Sequence, residues 1–194
     1  MSLRIAPIAV VLLAACSRAE APATREDAQP ERGSREWLVQ TARSAAPEAI
    51  SATAAVVAMR DSTMALDTLE PASAGSTWTC FADDTTTQHE DPVCADAEAM
   101  KWFAAWSTGN RQGPRLAGMG VVYALRGGAV PSDTDPYMMR PDSGGMVMDG
   151  PSIYIAMPNT SAYQGLPTTR RSDGPWVRYA GTPYAYIVLP AGNR

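Results

Sequence analysis

The sequence predicts an α+β fold: one domain with a mainly antiparallel sheet, one principal helix and one disulfide. Three observations carry this reading. Apolar residues alternate with a period of two in several short segments separated by turn formers. One segment alone, from Asp91 towards Gly109, sets a convincing aromatic stripe at helical spacing. Two cysteines, Cys80 and Cys94, lie close enough in the chain to staple that helix to the strand before it.

Residues 1–15 read as an export signal, with Arg4 before a short apolar core at 5–13 that cannot span a bilayer as a helix. Leu13-Ala14-Ala15-Cys16 resembles the lipobox of bacterial lipoproteins. That resemblance implies cleavage before Cys16, lipids on its sulfur and its new amine, and a chain anchored to a membrane rather than spanning it. Ser17 after the cysteine favours the outer membrane of a Gram-negative cell, with the domain facing the periplasm. Residues 16–33, rich in Ala, Pro, Glu and Arg, then form a flexible tether to a globular domain at 34–194.

The elements follow in order. Ser34 caps a helix from Arg35 towards Ala46 that Pro47 interrupts. Val56 and Val57 mark a strand at 54–59, and residues 64–69 alternate as a second. After the turn residues of 71–76, an extended stretch at 77–81 carries Trp78 and Cys80. Asp91-Pro92 reads as a helix opening, which places Cys94 in the first turn and Ala99, Phe103 and Trp106 along one face, to a stop at Gly109. Strands are expected at 118–126, 153–157, 176–179 and 184–189, with a short Met/Val strand at 146–148. Two long polar stretches, 127–145 and 159–175, separate them.

Cysteine arithmetic supports the staple. With Cys16 lipidated, Cys80 and Cys94 remain as a pair in an oxidising compartment. They lack the Cys-x-x-Cys spacing of a redox couple. The 16 basic and 20 acidic residues form no basic stripe, which argues against nucleic acid as a partner.

Several segments together resemble a group of small exported bacterial proteins that carry no established activity. They are Trp78-Thr79-Cys80, Asp91-Pro92-Val93-Cys94-Ala95-Asp96 with Trp102, Tyr123-Ala124-Leu125-Arg126-Gly127-Gly128, Thr134-Asp135-Pro136, Gly150-Pro151 and Gly181-Thr182-Pro183-Tyr184-Ala185. The likeness runs over residues 46–190. Where that group tends to carry histidine, this chain has Ser152 and Tyr186, which removes any histidine-based acid/base or metal role from those positions.

Reactive chemistry has few footholds. His89, the only histidine, lies among Asp83, Asp84, Glu90 and Asp91, without a Gly-x-Ser-x-Gly elbow or a His-Glu-x-x-His pattern elsewhere. Asp133 and Asp135 could collect a hard cation, but they suit Asx turns better. Met138, Met139, Met146 and Met148 cluster within one loop, and thioethers suit Cu(I), though methionine also fills irregular cores. No cofactor is expected. The sequence therefore reads as a lipid-anchored envelope protein that binds or supports without catalysis. Its contact candidates sit on the two long loops: Tyr137, Tyr163, Arg170 and Arg171, the last two suited to an anion. The alternatives are a hydrolase built on carboxylates that only the fold brings together, or a copper-handling protein.

Overall fold

A computed structural model describes residues 29–60, 65–85, 88–141 and 144–192. The export signal, Cys16 and most of the tether lie outside the described residues, as does Met64. The domain is α+β, built on an eight-stranded sheet. The elements in chain order are α1 (Arg35–Ser44), α2 (Glu48–Ser51), β1 (Ala55–Arg60), β2 (Ala65–Glu70), β3 (Thr79–Phe81), β4 (Val93–Ala95), α3 (Ala97–Ser107), β5 (Gly120–Ala124), β6 (Gly128–Val130), β7 (Val147–Asp149), β8 (Ser152–Ala156), a 3₁₀ turn (Thr160–Tyr163), β9 (Trp176–Arg178) and β10 (Tyr186–Pro190). The large sheet runs β2-β1-β3-β4-β5-β8-β10-β9, and β6 pairs with β7 as a separate ribbon. Every pairing is antiparallel except β1 with β3. Among the described residues no helix is long and apolar enough to cross a membrane.

Strand alternation decides where the helices go. Val56, Cys80 and Cys94 point to one face and cluster with Ala42, Ala45 and Ala46 at the C-terminal end of α1. Their chain neighbours Val57, Phe81 and Ala95 point to the other face and pack on Ala99, Met100 and Phe103 of α3. The period of two thus buries both sides of β1, β3 and β4, under α1 on one face and α3 on the other. Ser34 caps α1 by accepting from the Trp37 amide, as its position before the apolar residues predicts.

The second helix begins later than the sequence leads one to expect. Asp91-Pro92 does not open it. Residues 93–95 instead form β4, which pairs with β3 so that Cys94 stands directly opposite Cys80. The N-cap is Asp96, whose Oδ1 accepts from the Ala99 amide at 2.7 Å and whose Oδ2 accepts from the Val121 amide at 3.0 Å. One side chain thereby starts α3 and ties it to β5. Two Asp residues five positions apart both offer cap chemistry, and the β-branched Val93 between them favours strand over a first helical turn. The disulfide therefore joins strand to strand. Gly120 permits the helix to sit close: a Cβ there would fall 2.7 Å from the Ala99 nitrogen.

Both cysteines are fully buried, and their separation of 14 residues closes a loop worth about 3 kcal/mol in the chain-entropy model. Reduction should lower the melting temperature by roughly 10 °C or more, since 1 kcal/mol shifts a domain of this size by a few degrees. Calorimetry with and without reductant checks this, and an unchanged midpoint would contradict it.

Candidate functional site

The far end of the sheet holds a charged network that only the fold assembles. In β9, Trp176 and Arg178 point to the α3 face, and Arg178 is wholly buried there. A buried guanidinium needs an oxygen for each donor direction. It has them. Nη1 donates to Asp149 Oδ2 at 2.7 Å and to the Tyr186 hydroxyl at 3.1 Å, Nη2 to Asp149 Oδ1 at 2.8 Å, and Nε to Asp133 Oδ1 at 2.9 Å. The Trp176 ring lies beneath, 4.9 Å from the guanidinium carbon. Burial alone would pull the Arg178 pKa down. The Tyr186 oxygen and Asp149 outweigh it and hold the residue charged, well above its ordinary value.

The partners of Arg178 are in turn held by Tyr154 and Arg170. Asp149, its side chain only 4 % exposed, also accepts from the Tyr154 hydroxyl at 2.9 Å and sits 2.7 Å from Arg170 Nη1. Arg170 forks onto Asp133 at 2.9 and 3.0 Å and donates to the Met148 carbonyl. Asp133, opposed by its own partial burial, is nevertheless held below the usual carboxylate range by Arg170 and Arg178. Burial pushes the Tyr154 and Tyr186 hydroxyls up, so both remain protonated. Gly128 makes room for this arrangement, because a Cβ there would fall 2.4 Å from the Tyr154 oxygen. The network carries two positive and two negative charges and clamps both long loops to the sheet.

This changes the meaning of the sequence candidates. Arg170 is engaged by Asp133 and Asp149, and Arg171 forks onto Asp173 at 2.7 and 2.9 Å. Tyr163 is buried; its hydroxyl donates to the Ala185 carbonyl and accepts from the Met157 amide, both at 2.8 Å. It holds a loop. Tyr137 is half-buried, edge-on to Tyr184 at 5.7 Å with the Arg111 guanidinium 3.8 Å from its ring centroid. Asp133 faces arginines, not Asp135, whose Oδ1 instead closes an Asx turn on the Tyr137 amide. Met139 and Met148 are 61 % and 42 % exposed, while Met138 and Met146 are half-buried. Among the described residues no group of three His, Cys, Asp or Glu side chains is placed to hold a metal.

Asp83 and Asp91 form a second acidic cluster, without an arginine between them. Asp83 is 3 % exposed; its amide donates to Thr41 of α1 at 3.3 Å, and its Oδ1 accepts from the Asp91 amide at 2.9 Å. Its Oδ2 is buried without a partner in any other residue's hydrogen-bond group. Burial, then the charge of Asp83, push the Asp91 carboxyl up to about 7, so Asp91 keeps its proton into the neutral range. The pair lies in the loop that the disulfide closes, and it lines neither of two clefts found among the described residues.

Those clefts are small. One, of about 300 Å³, lies between α2 and residues 74–78; its Thr53 and Ser76 hydroxyls already bond within the protein. The other, of about 240 Å³, is lined by Trp102, Leu116, Met157 and three prolines, with Gln112, Asn159 and Thr160 among them.

A third feature is a surface. On the face opposite α3, β5, β8 and β10 set their side chains in a grid. Val121 stands opposite Ile155, and Ile155 opposite Ile187; Tyr123 stands opposite Ile153, and Ile153 opposite Leu189. All six are only partly buried: Tyr123 packs against the end of α1, Ile187 against Tyr163 and Leu166, and the main helix contacts of this face lie on β1 to β4. The centre of the sheet is open there. Sequence alternation places these residues on one face, but it gives no sign that helices would leave the face uncovered. Comparisons with family models, with curated proteins and with solved structures match nothing to this chain.

Proposed function

We propose that this chain is a lipid-anchored cell-envelope protein that works as a non-catalytic binding module, docking a partner protein on the open face of β5, β8 and β10. The observation that carries the reading is the contiguous grid of Val121, Ile153, Ile155, Ile187 and Leu189, each only partly buried at the centre of the sheet. A continuous aliphatic patch is costly to leave in water, and its burial against a partner recovers about 25 cal/mol for each Å² covered. The charged groups nearest the long loops are meanwhile committed to one another, which leaves the apolar face as the strongest adhesive surface. The lipobox at 13–16 and the likeness to small exported proteins support the location. The tether would hold the domain near the membrane, where a partner confined to the same layer meets it at high effective concentration.

Two results test this. Replacing Cys16 with Ser should release the protein from the membrane fraction, and mass spectrometry of the wild type should show the added acyl mass on Cys16. A wild-type chain recovered unmodified would remove the anchor. Ile155→Lys should still fold, since the position is not fully buried and a lysine head can reach water from it, yet lose any complex that survives mild detergent extraction and sizing. Retention of that complex by the variant would move the docking surface elsewhere.

A further inference from the structure

A second site lies in the cleft beyond the C-terminal ends of β8 and α3, independent of the open sheet face. Its walls are fixed. Gly113 packs so tightly on Pro183 that a Cβ would fall 2.5 Å from the proline Cβ. Asn110 braces the same loop, Nδ2 donating to the Gly113 carbonyl and Oδ1 accepting from the Gln112 amide, both at 3.0 Å. Opposite, the Tyr163 hydroxyl pins Met157 and Ala185, and Asn159 Oδ1 accepts from the Ser161 amide. The floor includes Trp102, set edge to face against Tyr184 and Tyr186 at 5.3 and 5.7 Å. A site held this way loses little entropy when it is filled.

The lining specifies the ligand's chemistry. None of its residues is charged, so a charged ligand would give up hydration without a counter-ion. The surface the cleft offers to a ligand is mostly polar, with the amides of Gln112 and Asn159 and the hydroxyl of Thr160 set among aliphatic and indole carbon. The Gln112 and Thr160 side chains make no hydrogen bond among the described residues, so a wholly apolar ligand would strip water from them without replacing it. An amide donates and accepts together, which matches vicinal hydroxyls. A ring with a C–H face and a fringe of hydroxyls meets each demand, and about 240 Å³ admits one such ring. In the other cleft the Thr53 and Ser76 hydroxyls are already engaged internally and no side-chain amide lines the walls, so it offers a poorer match. We propose that the Trp102 cleft binds a neutral pyranose, a single sugar unit of an envelope glycan.

The test is a titration of the purified protein with N-acetylglucosamine and its β-1,4 tetramer, followed through the Trp102 indole resonance and the Gln112 side-chain amide. Glucosamine serves as the charged twin and hexaproline as a peptide probe for the same apolar wall. Saturable shifts at both resonances are expected with the neutral sugars, with glucosamine about tenfold weaker. The Gln112→Ala, Thr160→Ala double variant should weaken the sugars by about tenfold or more, the loss of one to two hydrogen bonds, with its melting temperature unchanged. Both positions are exposed, so the fold has no stake in them. Absence of shifts with either sugar, sugar binding that the double variant leaves intact, or binding of hexaproline alone would each overturn the assignment. The docking reading for the sheet face stands or falls separately, with Ile155→Lys.

Discussion

Asp149→Ala should cost about 3–5 kcal/mol, the largest single loss this fold can suffer outside its core. The substitution removes the two carboxylate oxygens that pair with Arg178 Nη1 and Nη2, and it leaves a wholly buried guanidinium with the Tyr186 hydroxyl and Asp133 as its remaining partners. It also strands the Tyr154 hydroxyl and one contact of Arg170. The mechanism makes a second, sharper statement. Exchanging both partners for apolar residues, Arg178→Met with Asp149→Leu, should recover much of that loss, because no unpaired charge then stays buried. Urea denaturation of the single and double variants measures the difference. A double variant as unstable as Asp149→Ala would show that the groups act through packing alone.

The next largest effect lies in pH. The Asp91 carboxyl is pushed up to about 7 from an ordinary 3.8, by burial first and then by the charges of Asp83 and Asp84. The folded chain therefore keeps a proton that the unfolded chain releases above about pH 4. The pair's contribution favours the fold below that pH and is lost progressively as pH rises to about 7, by about 2–4 kcal/mol in total. This runs opposite to Asp133, whose lowered pKa adds stability that disappears only in acid. Asp91→Asn imitates the protonated side chain, so the variant should be more stable than the wild type at pH 8 and nearly flat between pH 5 and 8. Thermal melts at these pH values check it. A wild type that gains stability from pH 5 to 8 would contradict the raised Asp91 carboxyl.

Much of the fold was legible in the residues, and the gaps have physical causes. Val56-Val57 and Ile153-Tyr154-Ile155 announce strands because alternation is a local property. Cys80 and Cys94 announce their bond because the spacing and the expected compartment leave few other uses for them. The start of α3 was misplaced because Asp91 and Asp96 offer equivalent caps, and only the pairing of β4 with β3 chooses between them. The charged network was missed for a related reason. Arg178 stands two residues after Trp176 in a strand, so alternation already sends it inward, and an inward arginine demands a counter-ion. Its partners Asp149 and Asp133 lie 29 and 45 positions away, beyond any local pattern. The same distance explains why Arg170 read as a free anion contact although it faces two carboxylates. Binding surfaces were least legible, since an uncovered face depends on where helices stop.

The central claim is that the open face of β5, β8 and β10 meets a partner in the envelope. Site-specific photo-crosslinking in living cells tests it most directly, with a photoreactive residue at Ile155 or Leu189 and a control at Lys101, exposed on the opposite face. The account predicts a discrete adduct of defined mass from Ile155 and Leu189 and none from Lys101. Equal labelling from all three positions, or no adduct from the sheet face, would contradict it.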